Sequence, residues 1–134
     1  MAVQSRRTVI GLVAGGVAAT IASPTTAVGN DPVFGNIQVH RTARAAHFAA
    51  LAEQTRLEGL GDLPGALLIA EAPCHAEMDA FNELIGTAPR TLAGLRAWGA
   101  YLDEIRGDEE WMFEDGGPTL VATLAEALGN LPCA

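Results

Sequence analysis

Apolar residues recur at steps of three and four along most of the chain, which is the spacing of one face of an α-helix. The clearest case is residues 91–105, where this pattern predicts one packed helix. The stripe consists of Leu92, Leu95, Trp98, Gly99, Leu102 and Ile105. Thr91 can cap the first turn of this helix, and Pro89 prevents a helix from running in from upstream.

A longer helix is predicted from Pro32 to about Leu57. Asp31 suits the cap position, and Pro32 suits the first helical position, where its missing N–H costs nothing. The predicted buried stripe consists of Phe34, Ile37, Arg41, Ala45, Phe48 and Ala52. Gly59 and Gly61 follow, and glycine tolerates the left-handed conformation in which many helices end.

The middle of the chain predicts a second helix that is broken at Pro73. By its length, the apolar run from Ala66 to Ala70 suits either a short helix or a buried strand, and its residue types favour a helix. Pro73 then disfavours a helical conformation at Ala72. Beyond Pro73, one apolar face is formed by Cys74, Met78, Phe81 and Ile85. We expect this part of the helix to end at Gly86.

The last part of the chain predicts an acidic connector, residues 106–117, and then a helix that begins near Pro118. One face of this helix is formed by Leu120, Leu124, Leu128 and Leu131. The chain has no alternating apolar pattern of useful length, no heptad repeat and no internal duplication. The sequence therefore predicts an all-α fold, a small bundle of about four helices with the second helix broken at Pro73.

Residues 1–27 have the three-part layout of an export signal. A polar start ends at Arg6 and Arg7, an apolar run of fourteen residues follows, and small residues precede a predicted cleavage site after Ala27. The alternative is an uncleaved membrane anchor, but a span needs about 20 apolar residues. We expect cleavage, a single helical domain over residues 28–134, and no stable membrane span afterwards.

The paired Arg6 and Arg7 are followed by one variable residue and then by apolar ones, which resembles the twin-arginine translocation motif. The chain has Val9-Ile10-Gly11 where that motif prefers Phe-Leu-Lys. The resemblance implies that the export machinery of this route recognises the signal. It also implies that the mature protein is periplasmic or otherwise exported.

The charge of the chain limits its partners. After removal of the signal, the chain carries six arginines, no lysine and sixteen acids, a formal charge of −10. Binding to phosphates needs clustered positive charge, so this balance argues against nucleic acid or an anionic membrane as a partner. A protein partner, including a basic one, is compatible with it.

Cys74 and Cys133 are the only cysteines, and an exported protein reaches an oxidising compartment where they can pair. A disulfide between them would stabilise the fold by about 4 kcal/mol in the chain-entropy model. The alternative is two free thiols. A disulfide requires the two Cα atoms to approach within about 7 Å, and the presence of two cysteines does not show that they do. The disulfide is therefore a candidate pairing.

A cluster beside Pro73 contains ligand types that suit a soft metal: Cys74, His75, Met78 and Asp79. Ordinary burial preferences favour core packing for Cys74 and Met78 and solvent for the other two. His75 and Asp79 are therefore weak metal candidates, and we predict no metal and no cofactor. The acidic connector lacks the alternate-residue spacing of a calcium loop.

Two further groups are candidates for an interaction surface. His40, Arg44 and His47 can share one helix face, which suits either an anion or acidic-peptide site or a solvated polar stripe. The two histidines lie about 10 Å apart along the helix, too far to bind one metal ion without other ligands. Trp111 and Phe113 are either recognition aromatics or a cap over one end of the bundle.

The segments Asp31-Pro32-Val33-Phe34 and Pro89-Arg90-Thr91-Leu92-Ala93-Gly94, with His40-Arg41 and Tyr101-Leu102, resemble those of one group of proteins. The group comprises small, largely uncharacterised helical proteins of alphaproteobacteria with a Pro-x-Thr-Leu-Ala-Gly motif. The resemblance implies helices and carries no activity.

Catalytic motifs are absent from the sequence: we find no glycine-rich phosphate loop after a strand, no serine nucleophile motif and no Cys-x-x-Cys. The sequence therefore predicts a small, exported, non-enzymatic protein that acts by binding another macromolecule. The alternative hypotheses are a metal- or ligand-binding accessory protein of the periplasm, centred on His75, and a structural component of the envelope.

Overall fold

The protein is described by a computed structural model over residues 31–131, in which all regular structure is α-helical. The helices are α1 (Pro32–Gly59), α2 (Leu63–Ile69), α3 (Glu71–Gly86), α4 (Leu92–Ile105) and α5 (Glu110–Asn130). Helices α2 and α3 are the two pieces of the predicted second helix, so the prediction of a small all-α bundle of four helices is confirmed. The predicted export signal, residues 1–27, and Cys133 lie outside the described residues.

The predicted break in the second helix is confirmed, but it lies at Ala70, between Ile69 and Glu71, and not at Pro73. Ala72 and Pro73 lie in the first turn of α3. Pro73 explains this position, because a proline ring collides with the carbonyl group four residues earlier, which here belongs to Ile69. Helical hydrogen bonding resumes directly afterwards, where the backbone N–H of Cys74 donates to the Ala70 carbonyl over 2.9 Å.

Asp31 begins the described chain and joins the starts of two helices. Its side chain caps α1 by accepting from the backbone N–H of Val33. The same carboxylate accepts hydrogen bonds from the backbone N–H groups of Arg90 and Thr91 and from the Thr91 hydroxyl, at 2.8 to 2.9 Å. A side chain at Gly94 would overlap this carboxylate, so α4 needs glycine there.

The prediction of an acidic connector is wrong from Glu110 onward, because these residues form the first two turns of α5. Pro118 lies inside that helix and does not begin it. The helix continues through the proline because its buried face continues on both sides, through Met112 and Gly116 before it and Thr123 and Ala127 after it. No helix among residues 31–131 combines the length and the apolar character that a membrane crossing requires.

The core lies between α1, α3, α4 and the start of α5. It consists of Val33, Ile37, Phe81, Leu84, Ile85, Trp98, Tyr101, Leu102, Ile105 and Met112. On α4 the predicted stripe is confirmed for Trp98, Leu102 and Ile105, which are buried, whereas Leu92 is exposed. Tyr101, which the predicted stripe did not include, is buried as well. The buried face of α4 is therefore rotated from the one that the leucine spacing predicted.

On α1 the predicted stripe is wrong beyond Ile37. Arg41, Ala45, Phe48 and Ala52 are exposed. The face that turns inward carries polar residues instead, namely His40, Arg44 and His47. These side chains can lie inward because other helices supply partners for them, and those partners form the site described next.

Candidate functional site

Six polar side chains from four parts of the chain meet inside the bundle, and we call them the polar cluster. Its members are His40, Arg44, His47, Glu77, Tyr101 and Glu109. The first three lie on α1, Glu77 lies on α3, and Tyr101 lies on α4. Glu109 immediately precedes α5, where its backbone holds the cap position but its side chain makes no capping hydrogen bond.

His40 is fully buried and shares a 2.8 Å hydrogen bond between its Nδ1 and the hydroxyl of Tyr101. Burial lowers the pKa of His40, although the nearby charge of Glu77 acts in the opposite direction. The imidazole is therefore neutral near pH 7, since its ordinary pKa of 6.5 is already below that pH. Its Nε2 atom has no hydrogen-bond partner among the described residues.

His47 contacts Glu77, whose residue surface is only 1% exposed. The contact joins the Nδ1 atom of His47 to the Oε2 atom of Glu77. An ionised carboxylate only accepts, so with Glu77 ionised the Nδ1 atom of His47 is the donor. The other carboxylate oxygen of Glu77, Oε1, has no partner in the part of the chain that the structure describes.

Arg44 connects α1 to the segment before α5. Its Nε donates to Oε1 of Glu109 over 3.0 Å, and its Nη2 donates to Oδ2 of Asp108 over 2.5 Å. Burial lowers the pKa of Arg44, but the hydrogen bonds to the two carboxylates outweigh burial and raise it overall. The guanidinium also lies over the ring of Phe48, 4.8 Å from its centre.

Glu109 is buried beside a second carboxyl group, that of Glu77. Burial raises the pKa of Glu109, and the neighbouring Glu77 raises it further. The hydrogen bond from Arg44 acts in the opposite direction and does not cancel these effects. The cluster thus contains a carboxyl group that keeps its proton to higher pH than an exposed glutamic acid does.

The arrangement of the cluster suits binding of protons better than reaction with a substrate. His40 and Glu77 are buried, so a molecule in solvent cannot reach them. Within residues 31–131, no group of three or more His, Cys, Asp or Glu side chains is placed to hold a metal ion. Nothing in this part of the chain positively indicates catalysis.

The structure brings His40, Arg44 and His47 together on one face, as their spacing predicted, but that face does not form a solvated stripe. His40 is buried, and the other two are half-buried with carboxylate partners. Sequence analysis missed those partners. For Glu77 a signal existed, because it precedes Phe81 and Leu84 by four and seven residues and so occupies a position on their buried helix face.

Trp111 and Phe113 have different surroundings. Phe113 packs against Phe81 with ring centres 5.2 Å apart and contacts the core, so it acts as part of the interior. Trp111 is 44% exposed in the first turn of α5. It lines a cleft of about 150 Å³ between α3 and α5, together with Met78, Asn82 and Asp115. Trp111 is the more exposed of the two, whereas Phe113 is half-buried.

The cluster beside Pro73 is largely at the surface. His75 and Asp79 are exposed, as predicted. Core packing is wrong for Met78, which is exposed, and Cys74 is half-buried. The disulfide between Cys74 and Cys133 stays a prediction, because Cys133 lies beyond the described residues.

Four leucines around α2 form an exposed apolar surface that sequence analysis did not identify. Leu60, Leu63, Leu67 and Leu68 are 70%, 60%, 73% and 71% exposed. We call them the α2 leucine surface. The exposed acids Glu58, Asp62 and Glu71 flank it in the chain, and residues 57–89 contain no arginine or lysine.

No family model, curated protein or solved structure matches this chain. The resemblance based on Pro89 to Gly94 therefore stays a prediction.

Proposed function

We propose that the protein is a non-enzymatic binding module that acts after export and holds a second protein against the α2 leucine surface. The observation that carries the proposal is the exposure of its four leucines, each at 60% or more, within nine consecutive residues. Contiguous apolar surface with a polar rim is typical of sites where proteins bind one another. The only side chain of α2 itself that is buried is Ala66.

Burial of these leucines supplies the binding free energy. Full burial of one leucine side chain contributes about 1.5–3 kcal/mol, so even partial coverage of four is substantial. The entropy lost on association offsets part of this gain. Because its leucines are exposed, α2 gains little hydrophobic stabilisation from them within the bundle. A partner that covers the leucines would supply this stabilisation.

The charges around the surface indicate the chemistry of the partner. The exposed acids Glu58, Asp62 and Glu71 lie beside the leucines in the sequence, and Arg56, the arginine nearest to them in sequence, already pairs with Glu53. Complementary charges speed association and select among partners. We therefore propose an apolar protein segment flanked by lysine or arginine as the occupant.

The test is photo-crosslinking in the native cell with a benzophenone amino acid at Leu67. Val121 on α5, which is 66% exposed, is the matched control position. We expect one reproducible protein adduct at Leu67 and none at Val121. The crosslinked protein should contain an apolar segment flanked by basic residues. A second substitution, Leu68→Asp, should reduce the yield at least tenfold without changing the fold, because an exposed position tolerates the change.

Three results would contradict the proposal. They are an adduct that forms equally at both positions, an adduct with a second copy of the chain or with lipid, and no adduct at Leu67. Circular dichroism of the Leu68→Asp variant separates loss of binding from loss of structure.

A further inference from the structure

Helix α1 holds two buried carboxyl groups side by side. Arg44 donates to Glu109, and His47 donates to Glu77. Arg44 and His47 are three residues apart, so they lie next to each other on one face of the helix. The carboxyl groups that they hold are consequently neighbours, and the charge of Glu77 raises the pKa of Glu109.

Two ionised carboxylates in this position repel each other strongly. Neither is solvated, since the side chain of Glu77 is 1% exposed and that of Glu109 is 6% exposed. Like charges at short range in a buried site favour the state in which one carboxyl keeps its proton. The aspartic protease dyad is the familiar example of such a shared proton.

The other charged and titratable groups around the pair do not remove this repulsion. From α1, Arg44 and His47 bind the pair directly, and the neutral His40 lies on the same helix face. From α4, Tyr101 contributes a hydroxyl that binds His40. Arg44 also binds the carboxylate of Asp108, so its single positive charge is divided between two acids. Arg44 alone therefore does not balance two buried carboxylates.

One unpartnered atom indicates where the proton lies. Oε1 of Glu77 has no donor among the described residues, while Oε2 accepts from His47. Oε1 of Glu109 accepts from Arg44, which leaves the other oxygen of Glu109 to carry a hydrogen. A proton on Glu109 thus gives the Glu77 carboxylate the donor that it otherwise lacks.

We propose that the carboxyl groups of Glu77 and Glu109 share a bound proton, which they keep to higher pH than an exposed glutamic acid does, and that release of this proton displaces the start of α5. Release leaves two buried like charges in contact. Glu109 relieves the repulsion most easily, because it lies in the short segment before α5 whereas Glu77 is in the middle of α3. Its movement carries Trp111, two residues further along, at the cleft between α3 and α5.

The test is a pH titration of the side-chain carboxyl carbons of glutamate by carbon-13 NMR. We compare the mature protein with its Glu109→Gln and Glu110→Gln variants. Glu110 is the matched control, since it is adjacent in sequence and exposed. We expect one carboxyl to release its proton at a higher pH than all the others. This late titration should be absent in Glu109→Gln and present in Glu110→Gln. The proposal is wrong if every glutamate of the wild type titrates near the ordinary pKa of 4.5.

The movement has its own readout in the indole N–H signals of the two tryptophans. Trp98 donates its indole N–H to the Leu84 carbonyl inside the core and serves as the internal control. As pH rises, the Trp111 signal should shift with the midpoint of the carboxyl titration, and Glu109→Gln should abolish that shift. A Trp111 shift that persists in Glu109→Gln would contradict the displacement of α5. If Glu109→Gln does not fold, the carbon-13 titration of the wild type decides the proposal alone.

Discussion

Asp31 shows how much one side chain can contribute at the residue scale. It caps α1 and at the same time accepts three hydrogen bonds from the start of α4. Burial raises the pKa of Asp31, but the bonds from Thr91, Val33 and Arg90 outweigh burial, so the pKa falls below its ordinary 3.8. Asp31 therefore stays charged, and its charge holds together two helix starts sixty residues apart.

We predict that Asp31→Ala is strongly destabilising. The substitution leaves the N–H groups of Arg90 and Thr91 without their acceptor, and a buried unpaired donor costs about 1–3 kcal/mol. We expect the free energy of unfolding in urea to fall by about 3 kcal/mol. Asp103→Ala, at an exposed position of α4, is the control and should change it by less than about 0.5 kcal/mol. Equal effects of the two substitutions would mean that the Asp31 bonds contribute little.

At the element scale, α5 depends on close contact with α3. Gly116 makes this contact possible, because a Cβ atom there would lie 2.6 Å from Cδ1 of Ile85 and 3.3 Å from the Phe81 ring. Both neighbours are core residues with almost no exposed surface. The absence of a side chain at Gly116 therefore determines how near α5 can approach α3.

We predict that Gly116→Ala lowers stability although alanine is the better helix former. Overpacking of a core costs about 1–3 kcal/mol, while the gain in helix propensity is about 1 kcal/mol. Gly99→Ala on α4 is the matched control, since a Cβ there meets nothing within 4 Å. It should raise stability by about 0.5–1 kcal/mol. Urea denaturation of both variants tests the pair, and a stabilised Gly116→Ala would show that Ile85 moves aside without cost.

Local signals predicted which segments form helices, but they did not predict which face each helix buries. Prolines and caps such as Asp31 and Thr91 act on their own neighbours, so spacing and residue type reveal them. The inward rotation of α1 instead depends on Glu77 and Glu109, which are 30 and 65 residues from the α1 side chains that they bind. Sequence analysis therefore placed Phe48 inside, where the structure has His47.

The candidate site was predictable only in part, for the same reason. The shared face of His40, Arg44 and His47 follows from helical spacing alone. Their burial requires hydrogen-bond partners from α3, α4 and the segment before α5, whose positions no local sequence pattern reveals. Helix α5 was misplaced because Pro118 is normally a helix start, whereas here packing on both sides of it maintains the helix.

At the scale of the whole molecule, buried titratable groups make stability depend on pH in opposing directions. The pKa of Glu109 is raised by burial above its ordinary 4.5, so the stability that its proton provides is complete below pH 4.5 and is lost as pH rises through the folded value. The pKa of His40 is lowered by burial below 6.5, so stability falls as pH drops below 6.5 because the unfolded chain takes up a proton.

We predict that single substitutions separate these two effects. The free energy of unfolding of Glu109→Gln should increase relative to wild type as pH rises above 4.5, because the variant has no buried proton to lose. That of His40→Gln should increase relative to wild type as pH falls below 6.5, because the variant has no imidazole to charge. Urea denaturation across the pH range measures both differences. Curves parallel to wild type in either variant would exclude that residue as the cause.

The polar face of α1 also has a consequence for the order in which the protein folds. Its residues bind partners far away in sequence: His40 binds Tyr101 across 61 residues, and Arg44 binds Glu109 across 65. Closing loops of this length costs chain entropy before any contact forms, which slows folding relative to bundles with local contacts. During that search these polar groups remain hydrated, and they leave water only when α3, α4 and the segment before α5 are in place. The polar face of the first described helix is thus buried only after its distant partners have arrived.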